Sequence, residues 1–289
     1  MTLRRVLELS NRRVRLLVGL LLAGLFCIQC TRTEAFKESN VPVVIGGQTI
    51  GKTAPDVVQH LAQLAKTDHI ALLNYCLKHY DAHYYDYTCT LIKQERLRGR
   101  LGKVQWIDVK FRDKPFSVAM AWTKNATRGD RVLYLEGRYG GNMLVRPANP
   151  LLRALAGTVQ RKPDGKDARE NSLRTVNKFG FKRGMQSLLE FYLKGKNNGV
   201  LQEAFGECAT VAGRKALVLI RYLPDTSEYP SCKTVTFIDL EYLVPICVEG
   251  FNQAGDLICR YVYKDVKFNV DLTDAAFTPE ANGMDPPKK

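Results

Sequence analysis

The stretch that decides the fold is Asp86 to Trp122, DYTCTLIKQERLRGRLGKVQWIDVKFRDKPFSVAMAW, in which apolar side chains recur at every second position. Such alternation is typical of β-strands that bury one face. The turn clusters between the alternating segments are short, whereas a parallel pair needs a crossover of about a dozen residues or more. The stretch therefore predicts antiparallel strands with one apolar face. That face carries two runs of side chains: Ile107, Val109 and Phe111, then Phe116, Val118, Met120 and Trp122.

The same reading extends along the chain and predicts about ten strands, a number that an open flat sheet seldom reaches. A sheet of that size with one apolar face must curl and be covered. The predicted strands are Asp86 to Arg96, Val104 to Arg112, Phe116 to Trp122, Arg131 to Glu136, Asn142 to Arg146, Gln202 to Val211, Lys215 to Tyr222, Thr234 to Asp239, Val244 to Gly250 and Leu257 to Val270. Carboxylates on these strands, such as Glu95, are expected on the solvated face.

Amphipathic helices supply the predicted cover. Apolar residues at three- and four-residue spacing indicate helices from Pro55 to Lys66, from Asp68 to Tyr80 and from Phe181 to Gly195. A short helix is predicted within Asn149 to Thr158, and Gln160 to Asn171 is expected to be a polar loop. The fold class expected is α+β: a large curved antiparallel sheet, a half-open barrel, covered by amphipathic helices.

The N-terminal part of the chain has the pattern of an export signal. Five arginines within residues 1–15 precede an unbroken apolar run from Leu16 to Ile28, which is short for a membrane-spanning helix. Residues 1–35 are therefore expected to be a signal peptide or membrane anchor, and the protein to be periplasmic or in the cell envelope. Residues 36–54 are expected to be a linker, 55–278 a single domain, and 279–289 a flexible tail.

A phosphate-loop pattern lies in the expected linker. Gly46, Gly51, Lys52 and Thr53 fit G-x-x-x-x-G-K-[ST], which in nucleotide-binding proteins joins a parallel strand to a helix. Antiparallel strands follow here instead, and nucleotides are scarce outside the cytosol. Nucleotide binding through these residues remains the least favoured alternative.

Catalytic and metal-binding patterns are weak. The sequence has no G-x-S-x-G elbow, and His79 and His83, although spaced like two metal ligands on a helix, have no second pair to join them. We expect a non-enzymatic protein without cofactor or metal. The net charge of +14 favours anionic membrane surfaces, and export argues against nucleic acid as a partner.

Two cysteines lie on the arms of one predicted hairpin. Cys247 and Cys259 flank a turn at Asn252 to Gly255, so an oxidising compartment would allow them to form a disulfide. The alternative is that they are small buried apolar residues.

Three blocks resemble the secreted bacterial family of domain-of-unknown-function 1571: Asp86 to Asn125, Gly129 to Pro147 and Phe237 to Met284. More distantly, the order of strands and turns, closed by Phe277 and Pro279, is similar to the periplasmic lipoprotein carriers and the stress-sensing sigma-factor regulators. The carriers imply a half-open antiparallel barrel in which helices cover a cavity for acyl chains. The basic segment Gln160 to Asn171 departs from their pattern.

Together these observations predict an exported protein that holds an apolar ligand, such as a lipid or a lipidated protein, against the apolar face. The alternative is an envelope sensor or interaction domain whose cavity is filled by its own helices and which binds an envelope protein. The expected ligand-binding residues are Ile107, Val109, Phe111, Phe116, Val118, Met120, Trp122, Leu133 and Met143.

Overall fold

The computed structural model describes residues 43–45 and 55–286, and within them it has five α-helices and thirteen β-strands. The helices are α1 (Pro55–Thr67), α2 (His69–His83), α3 (Pro150–Ala156), α4 (Lys166–Asn171) and α5 (Phe181–Asn197). The strands are β1 (Val43–Ile45), β2 (Asp86–Leu97), β3 (Arg100–Leu101), β4 (Gln105–Arg112), β5 (Ser117–Lys124), β6 (Gly129–Leu135), β7 (Met143–Pro147), β8 (Val159–Arg161), β9 (Gln202–Val211), β10 (Arg214–Tyr222), β11 (Lys233–Asp239), β12 (Pro245–Phe251) and β13 (Leu257–Phe268).

All these strands form one antiparallel sheet. Its order is β1-β9-β10-β11-β12-β13-β2-β4-β5-β6-β7-β8, and β3 pairs with β2 beside this path. Among the described strands, β1 and β8 each pair on one side only, so the sheet is not closed. The predicted fold class, α+β with a large antiparallel sheet under helices, is confirmed.

Side chains of the sheet alternate between two faces, which we call inner and outer. The inner face carries Phe111, Val118 and Met120, and helices α1, α2 and α5 pack on it. Helix α1 buries Val58 and Leu61 there. Helix α2 begins after Asp68, whose side chain accepts a hydrogen bond from the backbone N–H of Ala71 at 2.8 Å, and it buries five residues: His69, Leu72, Leu73, Cys76 and Tyr80.

Helix α5 covers the inner face with the apolar stripe that its spacing predicts, and it buries Phe181, Met185, Leu188, Leu189 and Tyr192. The helix begins after Gly180, which has φ of 111°. A Cβ at this position would lie 2.7 Å from the ring of Phe111. Both the backbone conformation and the close approach therefore require glycine.

The outer face carries a second apolar cluster, of Ala119, Leu133, Leu144, Phe277 and Met284. The last two come from the C-terminal segment, which includes 3-10 turns at Asp274–Phe277 and Glu280–Asn282. Arg112 donates to Asp274 at 2.6 Å, and Arg146 donates to the carbonyl of Gly283 at 2.5 Å. The expectation of a flexible tail from residue 279 is therefore wrong as far as Met284, which is buried against the sheet.

The N-terminal predictions fall largely outside the described residues. The leader (residues 1–35) and the phosphate-loop residues Gly46, Gly51, Lys52 and Thr53 lie there. Strand β1, which precedes that loop, pairs antiparallel with β9 at the sheet edge. Within the described ranges, none of the helices has the length and apolar character that crossing a bilayer requires.

Of the two alternatives for Cys247 and Cys259, the disulfide is not formed, and both cysteines are free. The β12–β13 register sets Cys247 opposite Val262 and Cys259 opposite Gly250. An offset of three residues places the two side chains on opposite faces of the sheet, because side chains alternate along a strand. Geometry thus prevents the bond.

Candidate functional site

A cavity of about 320 Å³ lies over the inner face, beside the part of that face that α5 covers. Its floor consists of strand side chains, and its roof is the segment between β8 and α5, including α4 and a 3-10 turn at Val176–Lys178. The apolar floor residues are Leu91, Ile107, Met120, Trp122, Val132, Met143 and Val145. The roof adds Ala168, Val176 and Phe179, and β13 adds Tyr261 and Tyr263.

The structure divides the nine predicted binding residues into three groups. Four of them line the cavity: Ile107, Met120, Trp122 and Met143. Four others belong to the buried core of the inner face, away from the cavity lining: Val109, Phe111, Phe116 and Val118. Leu133 lies on the outer face in the second cluster, so its expected place on the inner face is wrong. The binding role of the four lining residues stays a prediction.

Aromatic packing explains why part of the inner face is filled. Phe111 stacks on Tyr87 with ring centroids 4.7 Å apart, and Phe116 meets Phe111 edge-on at 5.6 Å. Phe181 of α5 lies 4.8 Å from Tyr87. These rings pack against one another beside α5, and none of them is among the residues that line the cavity.

A buried polar network stands at one end of the cavity. Lys93 forms an ion pair with Glu95 at 3.2 Å, and its Nζ donates to the Ser172 hydroxyl at 3.2 Å. The Tyr261 hydroxyl donates to Glu95 Oε1 at 2.6 Å, and the backbone N–H of Leu173 donates to the same oxygen at 3.3 Å. The network therefore joins the floor strands β2 and β13 to the roof.

Each charge in this network has a partner, as buried charges require. Burial is the largest cause that raises the pKa of Tyr261 well above its usual value, so its hydroxyl remains a donor at neutral pH. Glu95 was expected on the solvated face, and that expectation is wrong. Glu95 is buried, because the roof covers the inner face near the end of β2. The carboxylate is held by donors from both the sheet and the roof.

Positive charge surrounds the cavity. The cations that line it are Lys93, Arg128, Arg161, Arg174 and Lys178. Among the described lining residues the one carboxylate is Asp167, which lies 3.5 Å from Arg161. An anionic group at the rim is thus favoured over a cationic one.

The roof is the part of the site that sequence reasoning missed. The segment Gln160 to Asn171, expected to be a polar loop, contains the end of β8 and the helix α4. Ala168 and Pro163 from this segment line the cavity. Its scattered apolar residues show no period, so the pattern carries little signal.

The histidine pair of α2 lies away from the cavity lining. The rings of His79 and His83 stack with centroids 4.2 Å apart, and His83 Nδ1 lies 2.8 Å from the carbonyl of His79. Over the described ranges, no group of three or more His, Cys, Asp or Glu side chains is arranged to hold a metal ion.

Comparisons with known proteins give a family and several distant structures. The family model described as "Protein of unknown function (DUF1571)" matches residues 84–284, as the sequence resemblance predicted. A search of curated proteins found no match.

Among solved structures, the MucA/MucB complex of Pseudomonas aeruginosa matches at 14% identity, with 73% of this chain and 61% of that chain covered and a TM-score of 0.44. The lipoprotein LppX of Mycobacterium tuberculosis matches at 12% identity, covering 71% and 96%, with a TM-score of 0.42. A putative outer membrane lipoprotein-sorting protein domain from Vibrio parahaemolyticus matches at 12%, covering 74% and 97%, with a TM-score of 0.34. The match spans less than two thirds of the MucB chain.

Proposed function

The chain belongs to the DUF1571 family of proteins of unknown function, and we propose that it is an exported, non-enzymatic protein that binds an apolar chain in the cavity of the inner face. The observation that carries this proposal is the cavity itself, whose floor consists of apolar side chains of β2 and β4 to β7. Apolar cavities that exclude water accept apolar ligands. The leader pattern of residues 1–35 supports export.

The volume of the cavity selects the kind of ligand. If a methylene group takes up about as much space as a water molecule, whose share of liquid volume is about 30 Å³, a cavity of 320 Å³ holds roughly ten methylene groups. Burial of each methylene contributes about 0.8 kcal/mol, so one such chain brings a gross gain of about 8 kcal/mol before the costs of association. One acyl chain therefore fits, and two long chains do not.

The positive charge around the cavity indicates the charge of the ligand's head group. Lys93 uses two of its three N–H donors on Glu95 and Ser172, and the exposed cations Arg128 and Lys178 line the same cavity. These cations favour an anionic head group on the ligand over a cationic one. The class that we propose is a single-chain anionic amphiphile, for which a fatty acid is the simplest representative.

Two tryptophans make the proposal testable without attaching a label to the protein. Trp122 lines the cavity, whereas Trp106, on the neighbouring strand β4, precedes Ile107 and therefore points to the outer face. We expect a brominated fatty acid to quench the emission of the wild type. Quenching should be lost in Trp122→Phe and kept in Trp106→Phe.

Mass spectrometry of an organic-solvent extract of the purified protein then identifies what the cavity carries. A clean extract, together with equal quenching in the two tryptophan variants or none in either, would exclude the cavity as a binding site. That result would favour the alternative function, an interaction domain whose cavity is filled by its own helices.

A further inference from the structure

Helix α3 exposes an unusual amount of apolar surface for its length. Leu151, Leu152 and Leu155 are 68%, 55% and 69% exposed, and they are the most exposed large apolar side chains among the described residues. Positions i, i+1 and i+4 share one side of a helix. We call these three residues the leucine surface.

The polar groups of the same helix hold it in this orientation. The Asn149 side chain accepts hydrogen bonds from the backbone N–H groups of Leu151 and Leu152 at 2.9 and 3.1 Å. Arg153 turns back to the carbonyls of Pro147 and Ala148 at 3.3 and 3.2 Å. The one charged side chain of the helix is therefore used in anchoring, and the leucines are left in solvent.

The leucine surface adjoins the cavity. Leu152 is itself a lining residue, as are Pro147 before α3 and Val159 after it. A surface that covered the leucines would thus lie at the edge of the cavity. A ligand could then pass between that surface and the cavity with little exposure to water.

The charges next to the leucine surface are mainly positive. Arg128 lies beside it, since its carbonyl accepts from the backbone N–H of Ala148 at 2.9 Å. Arg161, which also lies 3.5 Å from Asp167, lines the same cavity. The carboxylate of Asp130 is already paired, with Arg146 at 2.8 Å and with Arg153 at 3.4 Å. The exposed acid Asp285 lies close to the end of α3, since a Cβ at Gly157 would be 3.8 Å from its carboxylate.

We propose that the leucine surface is a membrane-docking element that inserts into an anionic phospholipid bilayer and brings the edge of the cavity to it. A protein partner would use about 20 to 30 residues on each side for a stable interface, whereas α3 has seven residues. A bilayer needs no shape complementarity, and adjacent arginines strengthen the attraction to anionic head groups. The bilayer is therefore the occupant that fits a small, apolar and basic-flanked surface.

A tryptophan placed on α3 reports insertion directly. In a Trp106→Phe/Trp122→Phe background, Leu155→Trp provides the sole tryptophan, and Leu193→Trp on α5, where the leucine is 45% exposed, is the matched control. The full chain is mixed with vesicles of phosphatidylglycerol that carry brominated acyl chains. Because the reporter stands on α3, membrane binding by the apolar N-terminal run cannot by itself produce its signal.

We expect a blue shift and loss of most of the emission for Leu155→Trp, and little change for Leu193→Trp. Added Leu151→Ser and Leu152→Ser substitutions should raise the vesicle concentration for half-quenching about tenfold or more. If the background substitutions prevent folding, the same pair is compared in the wild-type background as a difference from wild type.

Several outcomes overturn the proposal. One is water-like emission of Leu155→Trp while the protein sediments with vesicles, and another is equal quenching of Leu193→Trp. A third is a concentration-dependent blue shift without lipid, which means that a second copy covers the leucines. A fourth is quenching that persists after the vesicles are removed, which means that lipid is carried in the cavity. Fatty-acid quenching of Trp122 tests the cavity separately, so the two proposals fail independently.

Discussion

The length of the bound chain should set the affinity only up to a limit that the cavity imposes. Each methylene that enters contributes about 0.8 kcal/mol, which is about a fourfold change in Kd at 25 °C. The 320 Å³ cavity has room for roughly ten methylenes. We therefore expect the affinity for fatty acids to rise about fourfold per carbon and then level off near that length.

A single substitution should move this limit. Val132 lies on the floor of the cavity, between Met120 and Val145 of the neighbouring strands, and it is 9% exposed. Val132→Phe adds four carbon atoms, which take up roughly four methylene volumes if the ring enters the cavity. The plateau should shift to chains about four carbons shorter. For a chain of wild-type plateau length, the expected loss is about 3 kcal/mol, or about 200-fold in Kd.

Displacement of a fluorescent fatty acid by saturated acids of increasing length measures both curves. Val270→Phe makes the same chemical change at a residue that is 38% exposed and away from the cavity lining, so it should leave the plateau where the wild type has it. The same plateau in wild type and Val132→Phe would refute the assignment of the chain to this cavity. Affinity that keeps rising well beyond the predicted length would refute the volume argument.

The remaining predictions concern the scaffold, and urea unfolding of the variants tests each of them. Gly180→Ala should destabilise the fold because its Cβ would lie 2.7 Å from Phe111 at a φ of 111°, whereas Gly184→Ala, in the interior of α5 with no contact nearer than 3.9 Å, should stabilise it by about 0.5–1 kcal/mol. If Gly180→Ala were the more stable of the two variants, helix α5 would not begin at the position described. Met284→Ala should lower the free energy of unfolding by about 2 kcal/mol or more, because the side chain is 3% exposed in the outer cluster. An unchanged free energy of unfolding would mean that the C-terminal segment is a flexible tail after all. Burial lowers the pKa of His69 from 6.5, so the unfolded chain binds the proton more tightly, and stability should fall as the pH drops below 6.5, by up to about 1.4 kcal/mol per pH unit. His69→Leu should lack this component, and an unchanged pH slope would contradict the assignment.

The period-two pattern predicted the sheet well because most strands bury one face against the helices. All ten predicted strands are present, with ends within about two residues of the observed bounds. Strand β6 shows where the pattern loses its meaning. Val132, Leu133 and Tyr134 are three consecutive apolar residues, and all three are buried. Both faces are covered here, because the C-terminal segment packs on the outer face. Alternation cannot assign a face there, and Leu133 was assigned to the wrong one.

Features that depend on contacts between distant segments were beyond sequence reasoning for a different reason. The offset of Cys247 from Cys259 follows from the register of β12 with β13, which shifts between Gly250 and Phe251. No local pattern predicts such a shift, although it decides whether the two thiols lie on the same face of the sheet. The burial of Glu95 likewise depends on donors from Leu173 and Tyr261, far away in the chain.

The cavity exists because one sheet face has two covers of different composition. Helix α5 presents an apolar stripe, and its Phe181 packs against Tyr87 and the neighbouring rings. The part of the inner face under α5 is therefore filled. The roof between β8 and α5 is rich in charged residues, and its α4 has six residues, none of them buried. Such a segment bridges the floor through polar contacts to Glu95 and Lys93 instead of filling it. A roof that is held by hydrogen bonds at one end and supplies few apolar side chains leaves space above an apolar floor, and that space is what an acyl chain would occupy.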